Sequence, residues 1–218
     1  MAYSMHELDI TGYRNELVPN TFFEQNEPSD YAAIVFPGRN YSCQAPLLHY
    51  TTLALLQQAA DVLCVNYDRH PGYNSFSPED LLQCCIADAE AACSTLLRYK
   101  DYEFLTLIGK SLGTLVMGHL LAEGMFSVNV STIWFTPLLK HPELPEQMEW
   151  TTTPALYVVG TADDDTYDAK VMQRVQEATG GQVIAIEGAN HSLEIGTDVY
   201  KSLSAMRKII KGVQDLPL

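Results

Sequence analysis

The sequence predicts an α/β protein with a doubly wound, mostly parallel sheet flanked by helices. Strand-like and helix-like segments alternate along nearly the whole chain, which is the pattern of repeated strand–helix–strand units. Several strand-like segments are apolar at every position, as expected for strands that helices cover on both faces. With 218 residues, 47% of them hydrophobic, the chain is predicted to form a single domain, residues 1–218, around one large core.

The amino-terminal half is predicted to begin with a hairpin or meander at a sheet edge, because short extended pieces are separated by Gly12 and by the turn signal Pro19–Asn20. Ser77 precedes a proline and two acids, a combination that starts a helix. The remaining elements of this half are a strand over 31–36, a helix over 45–60, a strand over 61–67 and a helix that continues from Ser77 to Tyr99.

The second half continues the alternation. Its predicted elements are strands over 104–108, 128–135, 155–160 and 182–186 and helices over 112–123, 167–178 and 197–211. In an open parallel sheet, binding and catalytic groups lie in the loops at the carboxyl ends of the strands. We therefore look for chemistry in the loops that follow the predicted strands.

The turn after the strand over 104–108 reads G-K-S-L-G, with Ser111 at its centre and Gly109 and Gly113 on either side. G-x-S-x-G between a strand and a helix is the pattern of a nucleophile elbow, in which a serine occupies a strained, sharp turn. Five residues alone are weak evidence, and a turn that only caps the helix is the alternative. The surrounding loops must decide between the two.

A serine hydroxyl needs an imidazole as base and a carboxylate that orients the imidazole. His191 lies in the polar loop after the last predicted strand, although a solvent-exposed loop histidine would also fit there. Three acids, Asp163, Asp164 and Asp165, follow the preceding strand and compete for the orienting role, and the two that are not used are expected to face solvent or cap the next helix. The remaining histidines lie in no recognisable pattern of catalytic partners: His6, His49, His70, His119 and His141.

The segments G-K-S-L-G, G-T-A-D and A-N-H-S, in this order and over nearly the whole chain, resemble the α/β-hydrolase superfamily. The chain is similar to its small, lidless bacterial-type serine esterases of the dienelactone-hydrolase or carboxylesterase kind. The resemblance implies that Ser111 is the nucleophile, His191 the base and Asp163 the orienting acid, with Asp164 as the fallback.

The resemblance also implies an oxyanion hole made by two backbone amides, those of Leu112 and Arg39. The family pattern has histidine where this chain has Pro37, so the course of that loop is open. The Arg39 side chain is interpreted as a solvated surface charge, with contact to an anionic substrate group as the alternative. No role is assigned to Lys110.

The formal net charge is -14 and the isoelectric point is about 4.6, which disfavours binding to nucleic acid or to anionic membranes. The chain shows no leader-like amino terminus and no apolar run of about 20 residues, so we expect a soluble, cytoplasmic protein. The five cysteines lack C-x-x-C spacing and an accompanying histidine cluster. They predict reduced thiols and no zinc site, with Cys85 and Cys93 as core residues of a helix.

Together these observations predict a serine hydrolase of carboxylesterase or thioesterase type that cleaves a small ester or thioester without metal or organic cofactor. The segment between Pro137 and Pro154 is too short for more than a small flap, which favours an open site over a peptidase gate or a lipase lid. A catalytically silent binding or scaffold protein is the alternative, since a fold does not determine a function. The oligomeric state and the acyl and leaving groups stay open.

Overall fold

The computed structural model describes residues 3–70 and 72–217, and eight strands within them form one mixed sheet. The strands are β1 (Tyr3–His6), β2 (Asn20–Gln25), β3 (Tyr31–Phe36), β4 (Asp61–Val65), β5 (Phe104–Lys110), β6 (Asn129–Phe135), β7 (Ala155–Gly160) and β8 (Gln182–Ile186). Their order across the sheet is β1-β2-β4-β3-β5-β6-β7-β8. The last six strands in this order, β4-β3-β5-β6-β7-β8, are parallel, whereas β1 and β2 add an antiparallel edge.

Six α-helices connect and cover the strands, and two short 3₁₀ turns lie at Tyr13–Asn15 and Tyr67–Arg69. The helices are α1 (Pro46–Gln57), α2 (Pro78–Tyr99), α3 (Leu112–Ala122), α4 (Leu144–Glu149), α5 (Ala169–Thr179) and α6 (Val199–Asp215). As expected from the sequence, Ser77 caps α2, because its side chain accepts a hydrogen bond from the Asp80 amide.

The sheet is covered on both faces, so the predicted doubly wound α/β class is confirmed. Successive residues of β3 point to opposite faces: Ile34 joins the core beneath α2 to α5, whereas Val35 joins the core beneath α1 and α6. All six residues of β3 are buried. The continuous apolar run in the sequence therefore reflects a central strand that is packed on both sides.

Two elements differ from the sequence expectation. The edge hairpin exists, but its first strand is β1, which lies before the predicted extended pieces and whose four residues are all exposed. The segment between Pro137 and Pro154 contains α4, which packs through Leu144 and Met148 into the core beside α3. This segment is therefore part of the body of the protein.

All five cysteines are free and buried, and Cys85 and Cys93 lie in the core beneath α2, as expected for core residues of a helix. Among residues 3–70 and 72–217, no helix has the length and hydropathy that a transmembrane helix requires.

Candidate active site

Ser111 sits at the turn between β5 and α3 in a backbone conformation that L-residues rarely adopt, with φ 52° and ψ −114°. The turn is sharp because the chain passes directly from strand to helix. A Cβ at Gly113 would overlap the carbonyl oxygen of Phe36, and one at Gly109 would lie 2.7 Å from the Gly113 carbonyl oxygen. Both glycines are therefore required by close backbone approach, and the serine side chain projects from a strained turn.

Ser111, His191 and Asp163 form one continuous hydrogen-bonded chain. Ser111 Oγ lies 2.8 Å from His191 Nε2, and His191 Nδ1 lies 2.7 Å from Asp163 Oδ2. Since a carboxylate can only accept, Nδ1 carries the ring hydrogen and Nε2 accepts from the serine hydroxyl. This tautomer is the one that can take a proton from Ser111.

The loops after β7 and β8 are joined, and this contact brings the acid to the imidazole. The Ala162 amide donates to the Ala189 carbonyl at 2.9 Å, and a Cβ at Gly160 would overlap that same carbonyl. Within the second loop, Asn190 Oδ1 accepts hydrogen bonds from the amides of Ser192 and Glu194. These bonds close the loop around His191.

Asp163, rather than either of its two acidic neighbours, contacts His191. It is 4% exposed and accepts a second hydrogen bond from Thr166 Oγ1 at 2.5 Å, whereas Asp164 and Asp165 are exposed. Asp164 and Asp165 are expected either to face solvent or to cap the next helix. Because Asp168 caps α5, they face solvent. Thr166 orients the carboxylate, and no sequence signal identified it.

The loop after β3 lies against the serine turn. A Cβ at Gly38 would be 3.2 Å from both Ser111 Cβ and the Lys110 carbonyl oxygen, so the loop packs tightly against the serine turn. Leu112 is the first residue of α3, where amides have no partner within the helix. Arg39 follows Gly38 on this loop, and its side chain is exposed.

Lys110 joins the serine turn to the histidine loop. It is 1% exposed and donates to Thr136 Oγ1 at 2.7 Å and to the His191 carbonyl at 2.9 Å. Its Nζ also lies 5.1 Å from the centre of the Tyr41 ring. Burial lowers the pKa of Lys110 to about 7, although the nearby Asp163 carboxylate opposes this shift.

Two cavities adjoin the loops of the site. One, of about 280 Å³, has a polar lining that consists of Asn40, Tyr41, Ser42, Asp68, Tyr73 and Asn74. The other, of about 290 Å³, is mainly apolar and lies between α1 and α6 beside Leu193, two residues beyond the site histidine. The site is thus bordered by a polar and an apolar space.

Solved structures of several hydrolases are similar to this chain over almost its full length. The esterase Pf2001 of Pyrococcus furiosus is 16% identical, with a TM-score of 0.70 over 95% of this chain and 93% of its own. Est1E of Butyrivibrio proteoclasticus, solved with ferulic acid bound, is 11% identical, with a TM-score of 0.75 over 94% and 96%.

A third similar structure is XC6422 of Xanthomonas campestris, described as an α/β serine hydrolase without a lid. It is 17% identical, with a TM-score of 0.70 over 99% of this chain and 96% of its own. No family sequence model and no curated protein sequence matches the chain. At these identities the comparisons establish the α/β-hydrolase fold, as the sequence motifs predicted, and leave the activity to be argued from the site.

Proposed function

We propose that this protein is a serine hydrolase that cleaves a small ester or thioester by acyl transfer. The observation that carries the proposal is the unbroken hydrogen-bonded chain from Ser111 through His191 to the buried Asp163. A serine that only capped a helix would need neither a strained backbone nor an imidazole at its hydroxyl. The similar solved structures, which include esterases, support the same reaction class.

In the proposed reaction, His191 Nε2 takes the hydroxyl proton while Ser111 Oγ attacks the acyl carbonyl carbon. Asp163 stabilises the imidazolium that forms, and His191 then gives the proton to the departing alkoxide or thiolate. Water repeats the sequence on the acyl-serine, releases the acid and restores the hydroxyl. This sequence uses only groups of the chain and one water molecule.

The negative oxygen of the tetrahedral intermediate requires preorganised donors. We assign this role to the backbone amides of Leu112 and Arg39. Leu112 opens α3, so its amide points along the positive end of the helix dipole. The close approach of Gly38 to Ser111 supports the assignment of the amide that follows it, that of Arg39.

An open site favours small or accessible acyl groups. Helix α4 occupies the short segment where a lid would be inserted and packs into the core. The bordering cavities of about 280 and 290 Å³ suit a polar group on one side and an apolar group on the other. Because Est1E binds ferulic acid, hydroxycinnamate esters belong in a substrate panel with short-chain esters and thioesters.

Substitution of the nucleophile tests the proposal. Ser111→Ala is expected to lower hydrolysis of a short activated ester by at least about a thousandfold and to abolish covalent labelling by a fluorophosphonate. The matched control is Ser204→Ala, which removes an exposed hydroxyl from α6 and leaves both unchanged. Equal labelling of the Ser111→Ala variant would overturn the assignment, and a wild type that binds esters without turnover would favour the scaffold alternative.

A further inference from the structure

Three side chains of metal-ligating types meet outside the serine site. They are His70, from the loop after β4, and Cys84 and Asp88, which lie one turn apart on α2. Their ligating atoms all lie within 4.8 Å of one another, and all three residues are buried. Imidazole, thiol and carboxylate together are typical zinc ligands, because Zn²⁺ accepts nitrogen, sulfur and oxygen donors.

Two separations within the cluster are close to those of ligands around an ion. His70 Nε2 lies 3.9 Å from Asp88 Oδ2, and the Cys84 thiol donates a hydrogen bond to the same oxygen over 3.7 Å, which a metal ion would replace. Ligands at the corners of a tetrahedral Zn²⁺ shell are about 3.3–3.7 Å apart, given bond lengths of about 2.0–2.3 Å. Direct hydrogen bonds between nitrogen and oxygen are shorter, at about 2.7–3.2 Å.

Glu16 adds a second carboxylate to the same place. Its Oε2 lies 3.6 Å from His70 Nε2, and this buried oxygen has no hydrogen-bond partner among the residues that the structure describes. The buried Asp88 carboxylate and Cys84 thiol thus meet the buried His70 imidazole, and the half-exposed Glu16 side chain closes the cluster from the solvent side. Burying charged carboxylates is costly without a compensating cation.

We propose that His70, Cys84 and Asp88 bind one Zn²⁺ ion, with Glu16 at the fourth position. Cys84 ligates as a thiolate, and its proton passes to solvent as the Zn–S bond forms. The ion takes no part in ester cleavage, because its ligands are separate from the Ser111 site. Its role is structural, and the proposal is independent of the proposed activity.

The ion would join three parts of the chain. Asp88 already accepts a hydrogen bond from the Tyr13 amide at 2.8 Å, which ties the amino-terminal segment to α2. On the other side, the Tyr73 amide donates to the His70 carbonyl, and Tyr73 Oη accepts from the Asn40 amide at 3.3 Å. Metal binding at His70 therefore braces the loop that carries the proposed Arg39 oxyanion donor.

Co²⁺ and Zn²⁺ titrations of the tag-free, chelator-treated full chain test the site. We expect one equivalent of Co²⁺ to produce thiolate-to-cobalt charge transfer in the near ultraviolet and the visible bands of a tetrahedral ion. One equivalent of Zn²⁺ should remove both signals by displacement and raise the thermal unfolding temperature. A wild-type Co²⁺ spectrum without thiolate charge transfer would overturn the proposal, and this measurement needs no variant.

Two cysteine variants identify the ligand. Cys84→Ala should lose the charge-transfer band and weaken Zn²⁺ binding by at least about ten- to a hundredfold, the cost of losing even an outer-sphere partner. Cys93→Ala, which removes another buried thiol of α2 outside the cluster, should keep both properties. A thiolate band that persists in Cys84→Ala would place the metal elsewhere and contradict the assignment.

Discussion

Lys110 joins two parts of the site by hydrogen bonds, and its burial lowers its pKa to about 7. Its Nζ is removed from water yet has two oxygen partners, the Thr136 hydroxyl and the His191 carbonyl. Hydrogen bonds to these neutral oxygens do not fully replace the hydration of an ammonium group. The charged form is therefore less favourable when buried than in water, and the pKa of Lys110 is lowered.

Replacing this lysine by methionine should make the stability difference between the two proteins depend on pH. The unfolded chain keeps the Lys110 proton up to a pKa of about 10.4, whereas the folded chain releases it at about 7. Between these values the unfolded state binds more protons, so wild-type stability relative to Lys110→Met rises by about 1.4 kcal/mol per pH unit. Urea unfolding at several pH values measures this slope, and a flat difference would contradict it.

Asp163 and Asp165 offer a matched pair of substitutions at the residue scale. Asp163→Asn should lower kcat for ester hydrolysis by about 10³–10⁴-fold, because the amide favours the wrong tautomer of His191. Asp165→Asn removes an exposed charge two positions away and should leave kcat within about twofold of the wild type. Steady-state kinetics with one activated ester compare the two, and the reverse order would move the orienting role to Asp165.

The residues that motifs identify and those that only the structure identifies differ in a physical way. Ser111 and His191 could be singled out because each follows an apolar strand in a recognisable loop. Lys110 sits at the variable position of G-x-S-x-G, and its bond to the His191 carbonyl joins residues 81 positions apart. Thr166 likewise acts through one side-chain bond to Asp163. Such contacts exist only once the sheet has formed.

The turn between β5 and α3 shows at the level of elements how a backbone contact selects a residue type. Gly113 lies inside a helix, where alanine is ordinarily more favourable by about 1 kcal/mol. Here its missing Cβ lets the Phe36 backbone approach, which places the loop after β3 beside Ser111. The proposed oxyanion hole depends on this contact.

Gly113→Ala should therefore destabilise the protein by at least about 2 kcal/mol, because the new methyl group overlaps a backbone carbonyl that cannot rotate away. The comparison is Gly124→Ala, at a residue with φ 65° where an added Cβ would meet no atom within 4 Å, so that only backbone strain of about 1 kcal/mol is expected. Denaturant unfolding of both variants tests the difference. Equal losses would show that the overlap is relieved by movement of the turn.

Elements with a strong pattern could be predicted, and those without one could not. Strand β3 matches its predicted range of 31–36 because all its side chains are buried, and the helix from Ser77 matches because its cap and acids are local signals. Strand β1 has only four residues, all exposed, so no buried apolar run marks it in the sequence. Helix α4 has only six residues, too few to show a helical period.

The proposed zinc site is likewise not predictable from local sequence patterns, because its ligands come from separate segments. Cys84 and Asp88 share a face of α2, but His70 reaches them from a loop and Glu16 from the amino-terminal segment. No fixed ligand spacing of the C-x-x-C kind connects these positions in the sequence. The expectation that the cysteines indicate no metal thus depended on local spacing, whereas the proposed site depends on how the segments pack.

For the whole molecule, the net charge of -14 acts on any charged substrate before it reaches the site. The field of exposed charges extends about 30 Å at 0.01 M salt and about 8 Å at 0.15 M. Arg39 is the exposed cation on the proposed oxyanion loop, and its local attraction competes with the overall repulsion of anions.

Hydrolysis of an anionic thioester should accelerate as salt rises from about 0.01 to about 0.15 M, because screening weakens the repulsion. A neutral short-chain ester serves as the control and should show little change in kcat/KM over the same range. A decrease with salt for the anionic substrate would instead indicate attraction by Arg39, and Arg39→Ala would then remove that decrease.

The separation of Ser111 and His191 by 80 positions in the chain makes the proposed nucleophile a reporter of folding. The hydroxyl meets its proposed base, His191, only when the loop after β8 has docked beside the turn after β5. Secondary structure regained on refolding can precede this docking, because contacts between distant segments form late. During refolding, a fluorophosphonate would then label only molecules in which this loop has docked. The time course of labelling therefore follows the docking of β8 and the loop after it.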